Sequence, residues 1–194
     1  MHSRYIVFCL LIGATASSAD PLQDRCLLCH GSNLQHSDNS GPELGGFSRK
    51  YIQQQLMSFK NGQRGEDTAT GRIMAAEVKQ LTYDQIKGVS RWAATLPHEQ
   101  KLNFKQQMYS STATVFEEQC KGCHVSFIGR HITGSPRLDD LEPDYINRQL
   151  DSFKANERNL QNPSKHATKM KAVAASLTNS QLSSLQAYFS NIKR

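Results

Sequence analysis

The chain has 194 residues, which is enough for one large domain or two small ones, and 38% of them are hydrophobic, a low share for a single large core. Its formal net charge is +6, and its mean hydropathy is −0.57. Beyond the N-terminus, no segment of the sequence is apolar enough to span a bilayer, which disfavours an integral membrane protein.

The first 19 residues predict a secretory signal peptide. Arg4 provides a basic start, residues 5–14 form an apolar run that is too short to span a bilayer, and residues 17–19 offer a small-residue cleavage site. We expect cleavage after Ala19, with cleavage after Ala16 as the alternative. Cys9 is lost with this segment, so the mature chain keeps four cysteines. We therefore expect a periplasmic protein, and export disfavours nucleic-acid binding.

The first predicted helix covers residues 21–30 and carries Cys26-Leu-Leu-Cys29-His30. This is C-x-x-C-H, the attachment signal of a c-type haem. Two thiols one helical turn apart can form thioethers to one porphyrin edge, and the next imidazole can bind the iron. A chance match, a zinc knuckle and a thioredoxin-like redox pair are the alternatives. However, a zinc site normally takes its ligands from two separated pairs, and adjacent Cys and His cannot easily share one tetrahedral ion.

Two further helices follow in this first unit. After a loop rich in Gly, Ser and Asn that ends near Pro42, Tyr51, Leu56 and Phe59 recur near helical spacing and predict an amphipathic helix. A last helix begins at Thr82, with Gln85 three residues on as a capping box. Its predicted buried stripe consists of Ile86, Val89 and Ala93. Residues 97–111 are polar, without clear periodicity, and are predicted to form a linker.

The whole unit occurs twice. At an offset of 94 the haem motif returns as Cys120-Lys-Gly-Cys123-His124, and after a two-residue insertion the offset becomes 96. The repeated pairs include Pro42 with Pro136, Tyr51 with Tyr145, Leu56 with Leu150, Phe59 with Phe153, Lys60 with Lys154, Leu81 with Leu177, Gln85 with Gln181 and Trp92 with Tyr188. The second copy predicts a motif helix over residues 112–124, a first-turn proline at Pro143 and a capping box at Thr178. Its buried stripe is predicted at Leu182, Leu185 and Phe189.

No run of residues shows convincing strand alternation. We therefore predict an all-α chain with two tandem domains, residues 20–96 and residues 112–194, joined by the linker. Each domain is small, and a covalently bound haem supplies apolar core that the chain does not encode.

The sixth ligand of each iron decides between electron transfer and substrate binding. Met74 lies 44 residues after His30, Met170 lies 46 residues after His124, and both stand seven residues before a Leu-Thr pair. Each is the one methionine of its unit at a position that the repeat preserves. We therefore predict that His30 with Met74, and His124 with Met170, are the axial ligands. Packing in the core is the alternative role for both methionines.

The other histidines are weaker candidates for ligands. His36, His98, His131 and His166 have no histidine counterpart in the other copy, and we predict surface positions for them. His166 stands four residues before Met170 and could replace it if the local helix were shifted.

Two prolines repeat at 12 residues after the motif histidines. They are Pro42 and Pro136. We expect the loop at each proline to supply a carbonyl that accepts the N–H of the ligand histidine and fixes its ring, with a plain turn as the alternative.

These features resemble the di-haem class I cytochromes c of the c4 type. The matching residues are both haem motifs, Pro42 and Pro136, Tyr51, Gln55-Leu56, Phe59-Lys60, Gly71-Arg72 before Met74, and both Met-to-Leu-Thr spacings. The resemblance covers nearly all of residues 20–194, and the tandem methionine pattern is more specific than the haem motif alone. It implies two cytochrome c folds related by a pseudo-two-fold axis, two haems with propionates near the domain interface, and periplasmic electron transfer.

The second unit departs from the family pattern at two places. Most family members have Gly after the motif histidine, which Gly31 matches and Val125 does not. The small Gly45-Gly46 stretch becomes Asp139-Asp140. The packing of the second haem is therefore predicted with less support than that of the first.

The predicted function is the transfer of single electrons from a donor, either a membrane respiratory complex or a periplasmic dehydrogenase, to an acceptor such as a terminal oxidase. Four lysines of the second unit are candidate docking residues for an acidic partner: Lys121, Lys165, Lys169 and Lys171. Their charge also predicts a higher potential for the second haem, because positive charge favours the form with one more electron. A solvated helix face is the alternative for these lysines.

The alternative function is that of a haem enzyme or enzyme subunit, such as a di-haem oxidoreductase of a small sulfur compound or a peroxide. This function requires an open iron, or one with His or Cys opposite the motif His, whereas both units offer a Met and no cysteine is left over. An electron-accepting partner of such a dehydrogenase is a closely related possibility.

Overall fold

The computed structural model describes residues 21–31, 41–65, 68–97, 111–139, 141–156, 158 and 165–191. Over these residues every regular element is helical: α1 (Pro21–His30), α2 (Arg49–Lys60), α3 (Ala69–Lys79), α4 (Tyr83–Ala93), α5 (Ser111–Phe116), a π-helical segment (Glu117–Lys121), α6 (Gly122–His124), α7 (Phe127–Thr133), α8 (Pro143–Lys154), α9 (Lys165–Ser176) and α10 (Asn179–Asn191). The predicted all-α class is confirmed.

Several predictions concern residues outside this description. The signal peptide, residues 98–110 of the linker, His36 and His98 all lie outside the described residues. Among the described helices, none has both the length and the apolar character that a membrane span needs.

The duplication is visible in the helix bounds. Helices α2 and α8 begin and end 94 residues apart, and the starts of α3 and α9, like those of α4 and α10, are 96 residues apart. The two-residue insertion therefore falls between the second and third helices of the unit. Helices α2, α3 and α4 of the first unit therefore correspond, in the same order, to α8, α9 and α10 of the second.

Local capping explains where the last helix of each unit begins. The Gln85 backbone N–H donates to Thr82 Oγ1 at 3.2 Å, and the Thr82 N–H donates to Gln85 Oε1 at 2.8 Å. The same two bonds join Thr178 and Gln181 at 3.1 and 2.9 Å. Both predicted capping boxes are confirmed, and Pro143 occupies the first turn of α8 as predicted.

The end of the second helix is also duplicated. Gly62 and Asn156, which are 94 residues apart, both have left-handed backbone φ angles, 67° and 60°. Gly adopts this region without strain, and Asn is among the few other residues that tolerate it. The chain therefore turns in the same way after α2 and after α8.

A lysine amine ties the second helix of each unit to the turn before the last helix. Lys60 Nζ donates to the carbonyls of Lys79 and Leu81 at 3.1 and 2.6 Å. Lys154 Nζ donates to the carbonyl of Leu177, the repeat equivalent of Leu81. These carbonyls lie at and just beyond a helix C-terminus, where a cation is favourable.

The core follows the predicted stripes. Helix α2 packs against α3 and α4, while α8 packs against α9 and α10, and α10 packs against α5. Of the predicted stripes, Ile86, Val89, Ala93, Leu185 and Phe189 are buried, and Leu182 is half-buried.

The second haem-motif helix differs from its prediction. We expected one helix over residues 112–124, but the structure has α5, then a π-helical segment that includes Cys120, then the short α6. A π turn has one more residue than an α turn, so it rotates the residues that follow around the helix axis. Helix α7 was not predicted either, and it exposes Phe127, Ile128 and Ile132.

Candidate haem-binding sites

The first site is built at the C-terminal end of α1. The motif places His30 as the last residue of that helix, where its side chain is 6% exposed. His30 Nδ1 lies 2.7 Å from the carbonyl oxygen of Pro42. A carbonyl only accepts hydrogen bonds, so Nδ1 carries the proton and Nε2 is left with a lone pair for a metal.

A glycine permits this close approach. A Cβ atom built on Gly41 would lie 2.8 Å from both Cε1 and Nδ1 of His30, which is closer than non-bonded carbon atoms allow. Gly41 is therefore required for the ring and the Pro42 carbonyl to meet at this distance.

The second site repeats this geometry. His124 ends α6, and its Nδ1 lies 3.0 Å from the carbonyl oxygen of Pro136. Burial lowers the pKa of His30 and of His124, although the hydrogen bond to the proline carbonyl works in the opposite direction. Both rings are thus held neutral, the form that binds iron. The predicted carbonyl contact is present in both units, while its role toward an iron stays a prediction.

The motif cysteines are unlike a reactive dithiol. Burial raises the pKa of the Cys120 thiol to about 12, and the neighbouring Cys123 adds to this effect. Reactive cysteine pairs instead have a lowered pKa. In the described part of the chain, no group of three His, Cys, Asp or Glu side chains could hold a metal ion. The raised pKa of Cys120 therefore disfavours the thioredoxin-like alternative for the second motif.

A large cavity lies at the second site. Its volume is about 830 Å³, and Cys120, His124 and Met170 all line it. The rest of the wall includes the apolar side chains Leu138, Leu141, Ile146, Leu150, Phe153, Val173 and Phe189. An apolar cavity that brings together a motif thiol, the motif imidazole and a thioether fits a haem with covalent and axial attachment.

The two methionines occupy equivalent places. Met74 lies on α3 and Met170 on α9, and both are half-buried against the core. No carrier helix was predicted for either methionine. His166, one turn before Met170 on α9, is half-buried and lines the cavity, so the surface position predicted for it is wrong. His131 is exposed, as predicted.

One arginine that the sequence reasoning missed, Arg64, connects the two units, and its repeat equivalent makes similar contacts within the second unit. Arg64 Nη2 donates to Gln149 Oε1 at 3.0 Å, and Arg64 Nη1 donates to Gln55 Oε1 at 2.5 Å. Arg158, its repeat equivalent, also donates to Gln149. The guanidinium carbons of Arg64 and Arg158 lie 4.4 and 4.1 Å from the ring centroids of Phe59 and Phe153. The offset of 94 already aligns these two arginines and could have identified them.

Two tyrosines complete this contact between the units. Arg64 Nη2 lies 3.4 Å from the hydroxyl of Tyr145, the repeat equivalent of Tyr51. Burial raises the pKa of Tyr51, and the nearby Tyr145 adds to the shift. Both features place a polar, symmetric cluster in the contact region rather than an apolar one.

The acidic stretch of the second unit is accommodated by an ion pair. Asp139 is 6% exposed, and its two carboxylate oxygens accept from Arg137 Nε and Nη2 at 3.1 and 2.6 Å. Because the pair is bidentate, the buried carboxylate is compensated. Asp140 lies outside the described residues.

The four candidate docking lysines are not equivalent. Lys165 and Lys169 are exposed on α9, and Lys171 is half-buried. Lys121 Nζ lies 2.6 Å from Glu117 Oε2, so a neighbouring carboxylate offsets its charge.

No protein-family model matches the chain. Two curated relatives, both named cytochrome c4, match along most of its length. The protein from Pseudomonas aeruginosa is 23% identical over 170 residues, which cover 86% of this chain and 83% of the relative. The protein from Thiocapsa roseopersicina is 25% identical over 182 residues, which cover 87% and 88%. Matches of this extent reach into both copies of the repeat. The chain is therefore similar to the di-haem cytochromes c4 over nearly its whole length.

Solved structures of cytochrome c4 share the fold. The protein from Acidithiobacillus ferrooxidans matches with a TM-score of 0.65 and 24% identity, over 88% of this chain and 99% of that one. The reduced recombinant protein from Pseudomonas stutzeri matches with a TM-score of 0.64 and 21% identity, over 88% and 96%. A thiosulfate dehydrogenase (TsdBA) from Marichromatium purpuratum matches with a TM-score of 0.60 and 23% identity, over 86% of this chain but 36% of that one.

The similarity to cytochromes c4 supports a class of cofactor and a broad role. Cytochromes c4 carry two covalently bound c-type haems, and both attachment motifs stand in this chain. The relatives are electron-transfer proteins, which supports a di-haem electron-transfer role for this chain.

Proposed function

We propose that this protein carries single electrons between two protein partners in the periplasm, as a di-haem cytochrome whose irons are both closed by protein ligands. The bound haems supply the one-electron chemistry, and the chain holds and insulates them. The observation that carries this proposal is the duplicated hydrogen bond from the motif histidine to the proline carbonyl, 2.7 Å in one unit and 3.0 Å in the other. It leaves Nε2 of His30 and of His124 as the metal-binding atom.

The opposite ligands are Met74 and Met170. Each lies half-buried against the core, on the helix that precedes the last helix of its unit, and Met170 lines the same cavity as His124. A thioether stabilises ferrous iron relative to a second imidazole and therefore raises the potential. Cys26, Cys29, Cys120 and Cys123 are the residues that attach the two haems.

The experiment that tests this proposal is a potentiometric titration of the purified holoprotein together with exposure of its reduced form to carbon monoxide. We expect two one-electron transitions and no binding of carbon monoxide, since neither iron has an open position. Binding of carbon monoxide to the resting reduced protein would contradict the proposal.

The direction of transfer within the molecule follows from charge. Residues 20–99 contain nine basic and nine acidic side chains, whereas residues 100–194 contain 13 and 8. The exposed Lys165 and Lys169 lie on the helix that carries Met170, so the second haem has the higher potential and accepts electrons from the first. A titration of variants that each keep one haem tests the order, and a lower second potential would contradict it.

The same lysines recognise an acidic partner. A cationic face increases the rate of encounter with an anionic protein, and salt screens the effect over about 10 Å at 0.1 M ionic strength. Replacing Lys165 and Lys169 by glutamate is expected to slow electron transfer to the acceptor at low salt and to have little effect at high salt. The proposed donor is a membrane respiratory complex or a periplasmic dehydrogenase, and the proposed acceptor is a protein such as a terminal oxidase.

The match to the thiosulfate dehydrogenase favours one second candidate. This chain corresponds to about a third of that protein, so it could serve as an electron-accepting subunit, or as part of an enzyme that oxidises a small sulfur compound. Thiosulfate oxidation by the isolated holoprotein would favour the enzyme. Reduction by thiosulfate only when a dehydrogenase is added would favour the accepting role.

A further inference from the structure

Among the described residues, the second haem site has a metal-binding side chain, His166, that has no equivalent at the first site. His166 lies on α9, four residues before Met170, and both side chains line the cavity that also contains His124. Residues four apart in a helix lie on the same face, about 6 Å apart along its axis. An imidazole and a thioether therefore face the same cavity from adjacent turns of one helix.

The first unit offers no such alternative among its described residues. The repeat places Thr70 at the position of His166, and His30 is the single histidine in the described ranges 21–31, 41–65 and 68–97. The two units therefore differ in the number of groups that can face the iron opposite the motif histidine.

We infer that His166 is a reserve axial ligand of the second haem. This inference rests on the proposed ligation by Met170. When the Met170 thioether leaves, its bond to the iron breaks and a bond from the His166 ring nitrogen forms. Both ligands are neutral, so the exchange adds or removes no charge or electron. The second site then stays closed, whereas the described residues of the first unit offer no histidine to replace Met74.

The position of His166 in its helix lowers the free-energy cost of this exchange. It is the second residue of α9, in the turn whose N–H groups have no acceptor within the helix. Helix ends fray readily, so a one-turn displacement at this end breaks few backbone hydrogen bonds. Exchange to imidazole also lowers the potential of the second haem, since a thioether favours ferrous iron more than an imidazole does.

The test uses matched variants of the holoprotein, Met170→Leu and Met74→Leu, which keep the side-chain volume in the core. The spin state of each ferric haem is read by electron paramagnetic resonance, and carbon monoxide binding by the ferrous haems is read optically. We expect Met74→Leu to convert its haem to the high-spin form that binds carbon monoxide. We expect Met170→Leu to remain low-spin with two histidine ligands, and Met170→Leu with His166→Ala to become high-spin.

Three results would overturn or limit the inference. If Met170→Leu becomes high-spin to the same extent as Met74→Leu, His166 is not a reserve ligand. If Met170→Leu stays low-spin and the added His166→Ala changes nothing, another group closes the site and the inference is wrong. If neither leucine variant changes the spectrum of its haem, the proposed methionine ligation fails instead, which separates the two proposals. His166→Ala alone should leave both resting haems unchanged.

Discussion

The two units share a helical framework but fill their cores differently. In the second unit Phe116, Tyr188 and Phe189 form a buried aromatic cluster, with the Phe116 ring centroid 5.3 and 5.7 Å from those of the other two. The repeat equivalents in the first unit are Leu22, Trp92 and Ala93. The comparison teaches that the two units share caps, turns and the hydrogen bond from the motif histidine to a proline carbonyl, whereas their core packing differs.

The two histidine sites also differ between the units. The first uses Gly41 to bring the Pro42 carbonyl within 2.7 Å of His30, and the second has Ser135 there and a distance of 3.0 Å. The second compensates a buried carboxylate, Asp139, with Arg137 where the first has Gly45 and Glu43. It also adds His166. The first site is therefore tighter around its ligand, and the second offers more polar side chains.

Removal of one haem at a time has the largest expected effect. Replacing Cys26 and Cys29 by serine, or Cys120 and Cys123 by serine, should leave one covalent haem, which intact-protein mass spectrometry measures. Because the second unit keeps its aromatic cluster, we expect the first unit to lose more structure without its haem than the second does. Hydrogen exchange resolved by unit checks this expectation, and greater loss of protection in the second unit would contradict it.

Loss of the contact between a lysine amine and backbone carbonyls, which occurs in both units, should have the second largest effect. Lys60→Met removes a cation that donates to the carbonyls of Lys79 and Leu81, and hydrogen bonds to charged groups contribute about 1.5–3 kcal/mol. We expect Lys60→Met and Lys154→Met each to lower the free energy of unfolding by about this amount in denaturant titrations. Lys87→Met is the control, since Lys87 is exposed and pairs with Asp84 at the surface. An equal loss in the control would show that the carbonyl contacts do not matter.

A methyl group added at Gly41 should affect the first histidine site and not the second. Gly41→Ala places a carbon 2.8 Å from the His30 ring, and overpacking of this kind costs about 1–3 kcal/mol. We expect a change in the spectrum and potential of the first haem alone. Ser135→Ala is the matched control, because that position already has a Cβ, and it should leave the second haem unchanged. The reasoning fails if Gly41→Ala has no effect on the first haem.

Loss of a capping box should have the smallest effect, and this effect should be similar in the two units. Thr82→Ala and Thr178→Ala each remove one capping box from the last helix, and loss of an N-cap costs about 1 kcal/mol. Thermal unfolding of the two variants should therefore show similar losses. A large difference between them would mean that the equivalence of the two last helices does not extend to their stability.

Most of the framework could be predicted from the sequence because it depends on local patterns. The haem motif, the caps at Thr82 and Thr178 and the apolar stripes all have fixed spacings in the chain. The repeat then doubled each observation, so that Pro42 and Pro136 drew attention to a carbonyl that a single copy would not have revealed.

The missed features depend on contacts between segments far apart in the chain. Arg64 carries no local signal, and its partners Tyr145 and Gln149 lie more than 80 residues away. The spacing of His166 from Met170 drew attention to it, but it was assigned to the surface because burial preferences of single residues do not show which face of α9 meets a cavity. The π-helical segment at Cys120 has the same composition as an ordinary helical turn, so periodicity could not identify it.

The central claim is that both irons are closed by histidine and methionine, and the near-infrared absorption of the ferric holoprotein tests it most directly. A charge-transfer band in this region is specific to methionine bound to ferric haem. The account predicts a band intensity that corresponds to both haems, and its loss by half in either Met74→Leu or Met170→Leu. A band from one haem or none in the wild-type protein would contradict it.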